Sequence, residues 1–493
     1  MSFTPATSQI LQDRNWPPSS PNSVTKELIV QSSPAPTSTI SISRLRADLK
    51  GRVIAPDDAG YDEARTIFPG GIDRRPAVIV RPTDATDVAH VVSLARERGQ
   101  ELAVRSGGHS IYSVSEGGIV LDLSDMKELQ IDVEGRTAWA ETGLTAVEYT
   151  TATGAHGLAT GFGDTGSVGI GGLTLGGGVG YLVRKHGLTV DDLLAAEIVT
   201  ADGELRRVDA ETHPDLFWAI RGGGGNFGVA TRFQFRLHEV DSFVGGMLFL
   251  PATLDVIHSF IAEAEAAPEE LSAIANVMPA PPMPFVPEDH HGQLIVMAIM
   301  AYAGDAEAGE RAMAPFRALA TPIADMVRPM PYYEIYPSDE ESYHPIAAAR
   351  TMFVDAVDRS AAETIVDRLQ VSTAAMAVAQ LRVLGGAMGR IPDEATAFAH
   401  RGRRIMVNLA ALYELPEDAA AHEAWVADFA AALSGGDASG YVNFLGDEGV
   451  ARVRAAYPGS TWDRLTAIKR RYDPTNLFRL NQNIPPTNEV AGG

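Results

Sequence analysis

Two glycine-rich stretches constrain this chain more than any other feature of its sequence. One reads RSGGHS, residues 105–110, and the other reads GIGGLTLGGGVG, residues 169–180. Glycine leaves the backbone N–H groups uncovered, and a run of uncovered N–H groups can closely approach the oxygens of a pyrophosphate. We therefore expect these two stretches to hold a dinucleotide cofactor.

The residues that follow the first stretch argue against the commonest dinucleotide-binding fold. A Rossmann fingerprint places G-x-G-x-x-G between a strand and a helix, with an acidic residue about twenty positions later for the ribose. Here the glycine pair is followed at once by His109, and then by an apolar, strand-like run at residues 119–123. The pattern predicts a different fold around the cofactor.

Six motifs in fixed order make the chain recognisable. They are VIVRPTDATDVAHVV (78–92), AVRSGGHS (103–110), GGIVLDLS (117–124), TGSVGIGGLTLGGGVGYL (165–182), RGGGGNFGVAT (221–231) and YDPTNLFRLNQNIPP (472–486). Over about residues 48–486 the chain resembles the berberine-bridge-enzyme-like flavoproteins of the vanillyl-alcohol-oxidase superfamily, whose members bind FAD. The resemblance implies an α+β fold, with a two-part FAD-binding domain and a substrate domain in which helices cover an antiparallel sheet.

The expected domain boundaries follow from this resemblance and from local composition. Residues 1–42 are rich in Ser, Thr and Pro and predict a flexible leader. The FAD-binding domain is expected at 43–245 and 439–493, and the substrate domain at 246–438. Within the substrate domain, periodicity predicts strands at 294–302, 376–384 and 404–413 and helices at 305–319, 361–370 and 419–433.

Charge and hydropathy exclude several classes of partner. The chain has 63 acidic and 40 basic side chains, a net charge of −23, which disfavours nucleic acid and anionic membranes. The apolar runs are far shorter than the roughly 18 residues that a membrane span needs. The N-terminus has neither a basic nor an apolar signal region. We therefore expect a cytoplasmic enzyme that acts on a small molecule, with no nucleic-acid or membrane partner.

The resemblance assigns FAD contacts to the glycine stretches and to the C-terminal motifs. The expected cofactor-binding residues are Arg105, Ser106, Gly107, Gly108, His109, Ser110, Thr165, Gly166, Val168, Gly171, Gly172, Asn443, Asn481 and Asn483. No metal site is expected, because the histidines at 290, 291 and 344 lack a spaced set of partner ligands.

His109 is the residue that the resemblance singles out for a covalent bond to the flavin 8α-methyl group. Such a bond raises the redox potential of the flavin. The alternative is a histidine that only forms hydrogen bonds within the loop. Many relatives add a second bond through a cysteine at the position of Thr165, but this chain contains no cysteine, so only one bond is possible.

Tyr441 is the expected catalytic base. It stands in GYVNFLGDEG and matches the family's Tyr-x-Asn motif, which points a phenol at the reacting carbon. The alternative is an aromatic side chain packed at the domain junction. Strand periodicity places Met406, Asn408 and Ala410 on one face, which in the family looks into the active site. There Asn408 can orient a substrate hydroxyl or carbonyl, but it cannot act as a base.

The expected reaction is transfer of a hydride from a C–OH or C–N centre of a small molecule, from secondary metabolism, to FAD. Val168 stands where relatives border the path of dioxygen, and its small side chain favours an oxidase that makes hydrogen peroxide. Three alternatives stay open: a carbohydrate oxidase acting at the anomeric carbon, a dehydrogenase with another electron acceptor, and a flavin-binding protein without turnover. The aromatic cluster at 331–336 could line the substrate site or pack the sheet edge.

Overall fold

The computed structural model describes residues 40–336 and 343–486. Most of the expected leader, residues 1–39, lies outside this part of the chain. The first helix of the described part of the chain begins at Ile42.

The first half of the chain forms short strands and helices. Its strands are β1 Arg52–Ile54, β2 Val78–Arg81, β3 Leu102–Arg105, β4 Ile119–Asp122, β5 Leu129–Asp132, β6 Thr137–Glu141, β7 Leu158–Ala159, β8 Leu193–Val199, β9 Leu205–Asp209, β10 Val229–Arg236 and β11 His238–Glu239. Its helices are α1 Ile42–Asp48, α2 Tyr61–Arg65, α3 Ala85–Arg98, α4 Ala146–Gly154, α5 Ile170–Leu175, α6 Val183–His186 and α7 Pro214–Ala219. The apolar run at 119–123 forms β4, as predicted.

Two sheets organise this half. A four-stranded sheet has the order β1-β2-β4-β3, with β2, β4 and β3 parallel, and a five-stranded antiparallel sheet has the order β5-β6-β10-β8-β9. Helix α3 is capped by Asp84, whose side chain accepts hydrogen bonds from the backbone N–H groups of Thr86 and Asp87. Its apolar residues recur at helical spacing and pack against the parallel strands. The loop after β3, which carries the first glycine stretch, therefore leaves a rigid parallel sheet.

The second half of the chain forms longer strands. These are β12 Phe243–Pro251, β13 Leu271–Pro279, β14 Leu294–Ala303, β15 Ala324–Asp325, β16 Arg328–Pro329, β17 Ile346–Val354, β18 Met376–Val383 and β19 Ile405–Tyr413. The helices between them are α8 Leu254–Ala266, α9 Ala306–Arg317, α10 Arg359–Gln370, α11 Ala387–Arg390 and α12 Ala419–Ser434. Each predicted strand and helix here is confirmed, with ends displaced by at most two residues.

These strands build one eight-stranded antiparallel sheet. The order is β15-β12-β14-β13-β18-β19-β17, with β16 beside β12. One face is covered by α8, α9, α10 and α12, which bury Phe260, Phe316, Ile365 and Phe429 against it. On the other face, Met406 packs in a cluster with residues of the first half of the chain. The expected antiparallel sheet covered by helices is thus confirmed.

The C-terminal segment returns to the first half of the chain. It forms α13 Val450–Ala456 and α14 Ser460–Tyr472. The buried Lys469 ammonium lies 2.7 Å from the Asp473 carboxylate and donates hydrogen bonds to the carbonyl oxygens of Asn226 and Phe478. This buried ion pair joins the closing motif to the turn at Gly224–Asn226.

Two negative findings apply to residues 40–336 and 343–486 only. No helix in these ranges is long and apolar enough to cross a membrane. Nor does any group of three or more His, Asp or Glu side chains there form a candidate metal site.

Candidate active site

A cavity of about 370 Å³ lies where the two glycine stretches meet the C-terminal motifs. Its walls come from the loop after β3, from the second glycine stretch, from the turn before β10 and from residues 441–445 and 478–482. The predicted residues that line it are Ser106, Gly107, Gly108, His109, Ser110, Thr165, Val168, Gly171, Gly172, Tyr441, Asn443 and Asn481. The fold therefore brings together residues that are more than 300 positions apart in the sequence.

The two glycine stretches touch each other through their backbones. A Cβ atom added to Gly107 would stand 2.2 Å from the backbone nitrogen of Gly169, so no larger residue fits there. Ser106 Oγ accepts a hydrogen bond from the Gly171 N–H at 3.3 Å. Gly172, in contrast, has no heavy atom within 4 Å of an added Cβ. Gly107 thus permits close packing of the two stretches, while Gly172 leaves room for a bound molecule at the cavity wall.

The His109 ring is held at the cavity wall by two neighbours. It stacks on Phe68, with 4.2 Å between the ring centroids and 19° between the ring planes. Its Nε2 atom lies 2.9 Å from Ser167 Oγ. Phe68 and Ser167 were not among the predicted site residues, although Ser167 lies inside the second glycine motif. These contacts fix the direction in which the imidazole faces the cavity.

The Tyr441 hydroxyl oxygen accepts three hydrogen bonds. The donors are the backbone N–H of Gly178 at 2.9 Å, the backbone N–H of Val179 at 3.3 Å and Asn443 Nδ2 at 2.8 Å. The φ angles of Gly177 and Gly178 are 127° and 79°, which side chains other than glycine rarely allow. The GGG sequence in the second motif therefore lets the backbone turn its N–H groups toward the phenol.

These donors act on the acidity of the phenol. Burial raises the pKa of Tyr441, because the charged form loses contact with water. The three N–H donors and the positive charge of Arg382 act in the opposite direction, since they stabilise the phenolate. Burial outweighs these contributions, so the pKa of Tyr441 stays above that of a free tyrosine, and the donors limit the increase.

Arg382 is a site residue that the sequence analysis missed. Its side chain is 2% exposed. It donates a hydrogen bond to the Val179 carbonyl oxygen at 2.8 Å and forms an ion pair with Asp164, which lines the cavity. The sequence carried only a partial signal, because strand periodicity in 376–384 places this charged side chain on the same face as Gln380 but does not show what that face contacts.

Four of the predicted site residues do not line the cavity that the described residues form. They are Arg105, Gly166, Asn408 and Asn483. The Arg105 guanidinium donates a hydrogen bond to the Asp122 carboxylate at 2.8 Å. The Gly166 carbonyl accepts a hydrogen bond from the Val147 N–H. Asn483 has a buried side-chain oxygen without a hydrogen-bond partner in the described structure.

The fourth residue, Asn408, lies on β19 in the face of the large sheet that is turned away from the covering helices. Its neighbours across the strands are Gln380 and Thr351. The aromatic cluster at 331–336 is mainly a packing element, because Tyr332 and Tyr336 are buried and their hydroxyl oxygens are 3.0 Å apart.

Family models match both parts of the chain that form the cavity. Residues 76–209 match a model described as an FAD binding domain, and residues 440–485 match one described as berberine and berberine like. The first match contains both glycine stretches, and the second contains the Tyr-x-Asn motif and all but the last residue of the closing motif.

Two curated proteins and one solved structure are similar over most of the chain. An FAD-linked oxidoreductase of Dictyostelium discoideum is 30% identical over 420 residues, 83% of this chain and 89% of that protein. (R)-6-hydroxynicotine oxidase of Paenarthrobacter nicotinovorans is 31% identical over 458 residues, 89% of this chain and 97% of that protein. The crystal structure of 6-hydroxy-D-nicotine oxidase from Arthrobacter nicotinovorans matches with a TM-score of 0.79 at 29% identity, covering 89% of this chain and 98% of that one.

Proposed function

This chain belongs to the berberine-bridge-enzyme-like family of FAD-dependent oxidoreductases, and from that premise we propose that it is an oxidase of a small organic molecule. It takes a hydride from a C–OH or C–N centre and passes the electrons to dioxygen, which becomes hydrogen peroxide. The observation that carries the proposal is the Tyr441 hydroxyl, held by three N–H donors at the wall of a cavity built from FAD-binding motifs.

The residues present suit a flavin dinucleotide. Gly172 leaves open space at the wall, and an added Cβ at Gly225 would come no closer than 3.9 Å to another heavy atom, so a ligand can approach the backbone at both positions. Asn481 lines the cavity and has a buried oxygen that lacks a partner in the described structure, so it can accept a hydrogen bond from a ligand. When bound, FAD supplies the two-electron acceptor that no amino-acid side chain provides.

We assign the single covalent attachment to His109. The stacking on Phe68 and the contact with Ser167 hold its ring at the cavity wall, and the absence of cysteine from the sequence leaves no thiolate for a second bond. The test is acid precipitation of the purified protein. The yellow flavin should remain with the pellet of the wild type and of a His290→Ala control, and should appear in the supernatant of His109→Ala. A yellow His109→Ala pellet would disprove the assignment.

Tyr441 acts as the base in the proposed reaction. As the substrate carbon gives up its hydride, the proton of the substrate O–H or N–H passes to the Tyr441 phenolate oxygen. Gly178, Val179 and Asn443 stabilise that phenolate before the transfer. The neutral phenol formed afterwards can accept no more than two of these hydrogen bonds. The proton is later released to water, so the residue is regenerated at each turnover.

Val168 supports oxidase over dehydrogenase activity. It lines the cavity between the two glycine stretches, and its side chain is only partly buried in the neighbouring core. A small side chain there leaves space for dioxygen beside the cofactor. A dehydrogenase would instead need a quinone or protein acceptor, and it would be recognised by slow reaction of its reduced flavin with oxygen.

A peroxide-coupled screen of alcohols, amines and reducing sugars tests the proposed function. Tyr441→Phe should slow flavin reduction by the best compound by about 10²–10⁴-fold, the range for loss of a general base. Tyr332→Phe, which removes another buried tyrosine hydroxyl away from the cavity, is the control. An unchanged rate in Tyr441→Phe would remove Tyr441 from the mechanism. If the protein binds flavin but oxidises none of the compounds, the result would support the alternative of a flavin-binding protein without turnover.

A further inference from the structure

The two backbone N–H groups that donate to Tyr441 are each one end of a peptide group whose other end is also bonded. One peptide group carries the Gly177 carbonyl and the Gly178 N–H, and the next carries the Gly178 carbonyl and the Val179 N–H. A peptide group is planar, and its carbonyl and its N–H point in opposite directions. A contact that fixes the carbonyl therefore fixes the direction of the N–H as well.

One turn, residues 188–191, holds both carbonyl groups. The Val190 N–H donates to the Gly177 carbonyl at 3.1 Å, and the Thr189 N–H donates to the Gly178 carbonyl at 3.0 Å. Hydrogen bonds in such a chain polarise one another, so each bond at a carbonyl strengthens the bond at the N–H of the same peptide group. The turn thus acts on the phenol from the far side of the two peptide groups.

The turn is packed tightly against the second glycine stretch. Leu188 and Val190 are fully buried in the hydrophobic cluster around the phenol ring. The Thr189 hydroxyl donates to the Gly161 carbonyl at 2.6 Å. A Cβ atom added to Gly178 would stand 2.0 Å from Thr189 Oγ1, so only glycine fits opposite the turn. The position of the turn therefore determines the position of the glycine stretch.

The turn is itself held by a buried ion pair. The Asp191 carboxylate accepts a hydrogen bond from the Leu188 N–H at 2.8 Å, which closes the turn. Both oxygens of this carboxylate bind the Arg401 guanidinium, each at 2.7 Å, and the two side chains are 5% and 2% exposed. Arg401 comes from the segment before β19 and is fixed there by the Thr396 hydroxyl and the Asp393 carboxylate. A bidentate pair sets orientation as well as distance, so this pair anchors the turn to the second half of the chain.

The pair acts through the turn and not through its charge. Asp191 and Arg401 cancel each other's charge, and Arg221 is a further charged group beside them. The cation that acts on the phenol is Arg382, which holds the Val179 carbonyl, one peptide group further along.

We propose that the Asp191–Arg401 pair is a positioning device for Tyr441: the pair holds the turn, and the turn directs the two backbone N–H groups at the phenol oxygen. Neither residue is catalytic, because neither lines the cavity that the described residues form. The consequence for catalysis rests on the proposed role of Tyr441 as the base. An ion pair with a merely structural role would affect stability and leave the acidity of Tyr441 unchanged.

Fluorine NMR of the flavin-loaded protein with 3-fluorotyrosine at position 441 tests this proposal, because the signal reports the protonation of this one phenol without any substrate. Thr189→Pro removes the N–H that holds the Gly178 carbonyl, and Leu188 already has the extended conformation (φ −73°, ψ 160°) that favours a following proline. Thr189→Val is the control, since it loses the same hydroxyl and keeps the N–H. Release of the Val179 N–H should raise the pKa in Thr189→Pro above that in Thr189→Val by about one to two units, the effect of one hydrogen bond to a charged group. A difference below about half a unit would overturn the role of the turn.

The ion pair is tested with the same signal. Asp191→Leu/Arg401→Met removes both charges and leaves none buried alone, and it should also raise the pKa of the phenol by about one to two units. Arg401→Lys keeps the charge but loses the fork that binds both carboxylate oxygens, so it should raise the pKa by a smaller amount. Lys469→Met/Asp473→Leu, which removes another fully buried pair, is the control and should lower the melting temperature without changing the pKa. An unchanged pKa in Asp191→Leu/Arg401→Met, or in Arg401→Lys if the double variant does not fold, or an equal change in the control, would overturn the proposal.

The outcomes separate this proposal from the oxidase proposal, because protonation is measured without turnover. Raised pKa values in a protein that oxidises no compound would leave the positioning role standing and the oxidase proposal wrong. Unchanged pKa values in a protein that oxidises a compound at a rate dependent on Tyr441 would do the reverse.

Discussion

Replacing Asn443 by leucine should raise the pKa of Tyr441. The substitution keeps a side chain of similar shape but removes the N–H donor that lies 2.8 Å from the phenol oxygen. A hydrogen bond to a charged group contributes about 1.5–3 kcal/mol, and one pKa unit corresponds to about 1.4 kcal/mol. We therefore expect an increase of about one to two units, since the donor stabilises the phenolate more than the phenol.

The direction of the kinetic effect follows from the form of Tyr441 that reacts. The phenolate accepts the proton, so the rate of flavin reduction increases with pH up to the pKa of Tyr441. A higher pKa moves this rise to higher pH by the same amount. At a pH below both pKa values, the Asn443→Leu enzyme should therefore be about tenfold to a hundredfold slower than the wild type.

Two measurements check this prediction. The near-ultraviolet absorbance of tyrosinate, taken as the difference between each protein and its Tyr441→Phe counterpart, isolates one phenol among the 13 tyrosines and requires no substrate. Stopped-flow reduction of the flavin at a series of pH values then gives the kinetic pKa. An unchanged or lower pKa in Asn443→Leu would refute the proposed stabilisation of the phenolate.

Three further variants test other parts of the structure. Asp473→Ala leaves the Lys469 ammonium buried without its partner, and urea unfolding should show a loss of about 3–5 kcal/mol; a loss below about 1 kcal/mol would contradict the pairing. Burial, with a contribution from His238, lowers the pKa of His186 to about 3, so its protonation favours the unfolded chain. Its contribution to stability is complete above about pH 6.5 and is lost as the pH falls toward 3, so His186→Gln should flatten the decrease of the melting temperature in that range; an identical pH profile would contradict this. Val168→Phe should slow reoxidation of the reduced flavin by dioxygen without changing the flavin content, and an unchanged rate would show that Val168 does not border the oxygen path.

Local sequence patterns predicted the elements of the fold well, because each depends on a short stretch of chain. The long apolar strand at 294–302 and the helix at 305–319 were found close to their observed ends. The glycine motifs likewise identified most of the cavity wall, since backbone exposure is a property of the glycines themselves. The leader at 1–42, the domain boundaries, the cytoplasmic location, the covalent bond at His109 and all of the expected flavin contacts stay predictions.

Contacts between distant strands could not be derived from the sequence. Gln380 and Asn276 are hydrogen-bonded although 104 positions separate them, and nothing in either strand specifies that β18 lies between β13 and β19. The position of Arg382 beside Val179 depends on the same pairing. The motif that contains Arg105 is local, but the direction of its side chain depends on Asp122, on the neighbouring strand β4.

The most direct test of oxidase function is the reaction of the reduced cofactor with oxygen. The purified protein is photoreduced under nitrogen, mixed with aerated buffer and followed by its yellow flavin absorbance, with hydrogen peroxide measured at the end. An FAD-dependent oxidase should recover its absorbance within seconds and form one peroxide for each flavin. Recovery over many minutes, or recovery without peroxide, would contradict the oxidase proposal and favour a dehydrogenase with another electron acceptor.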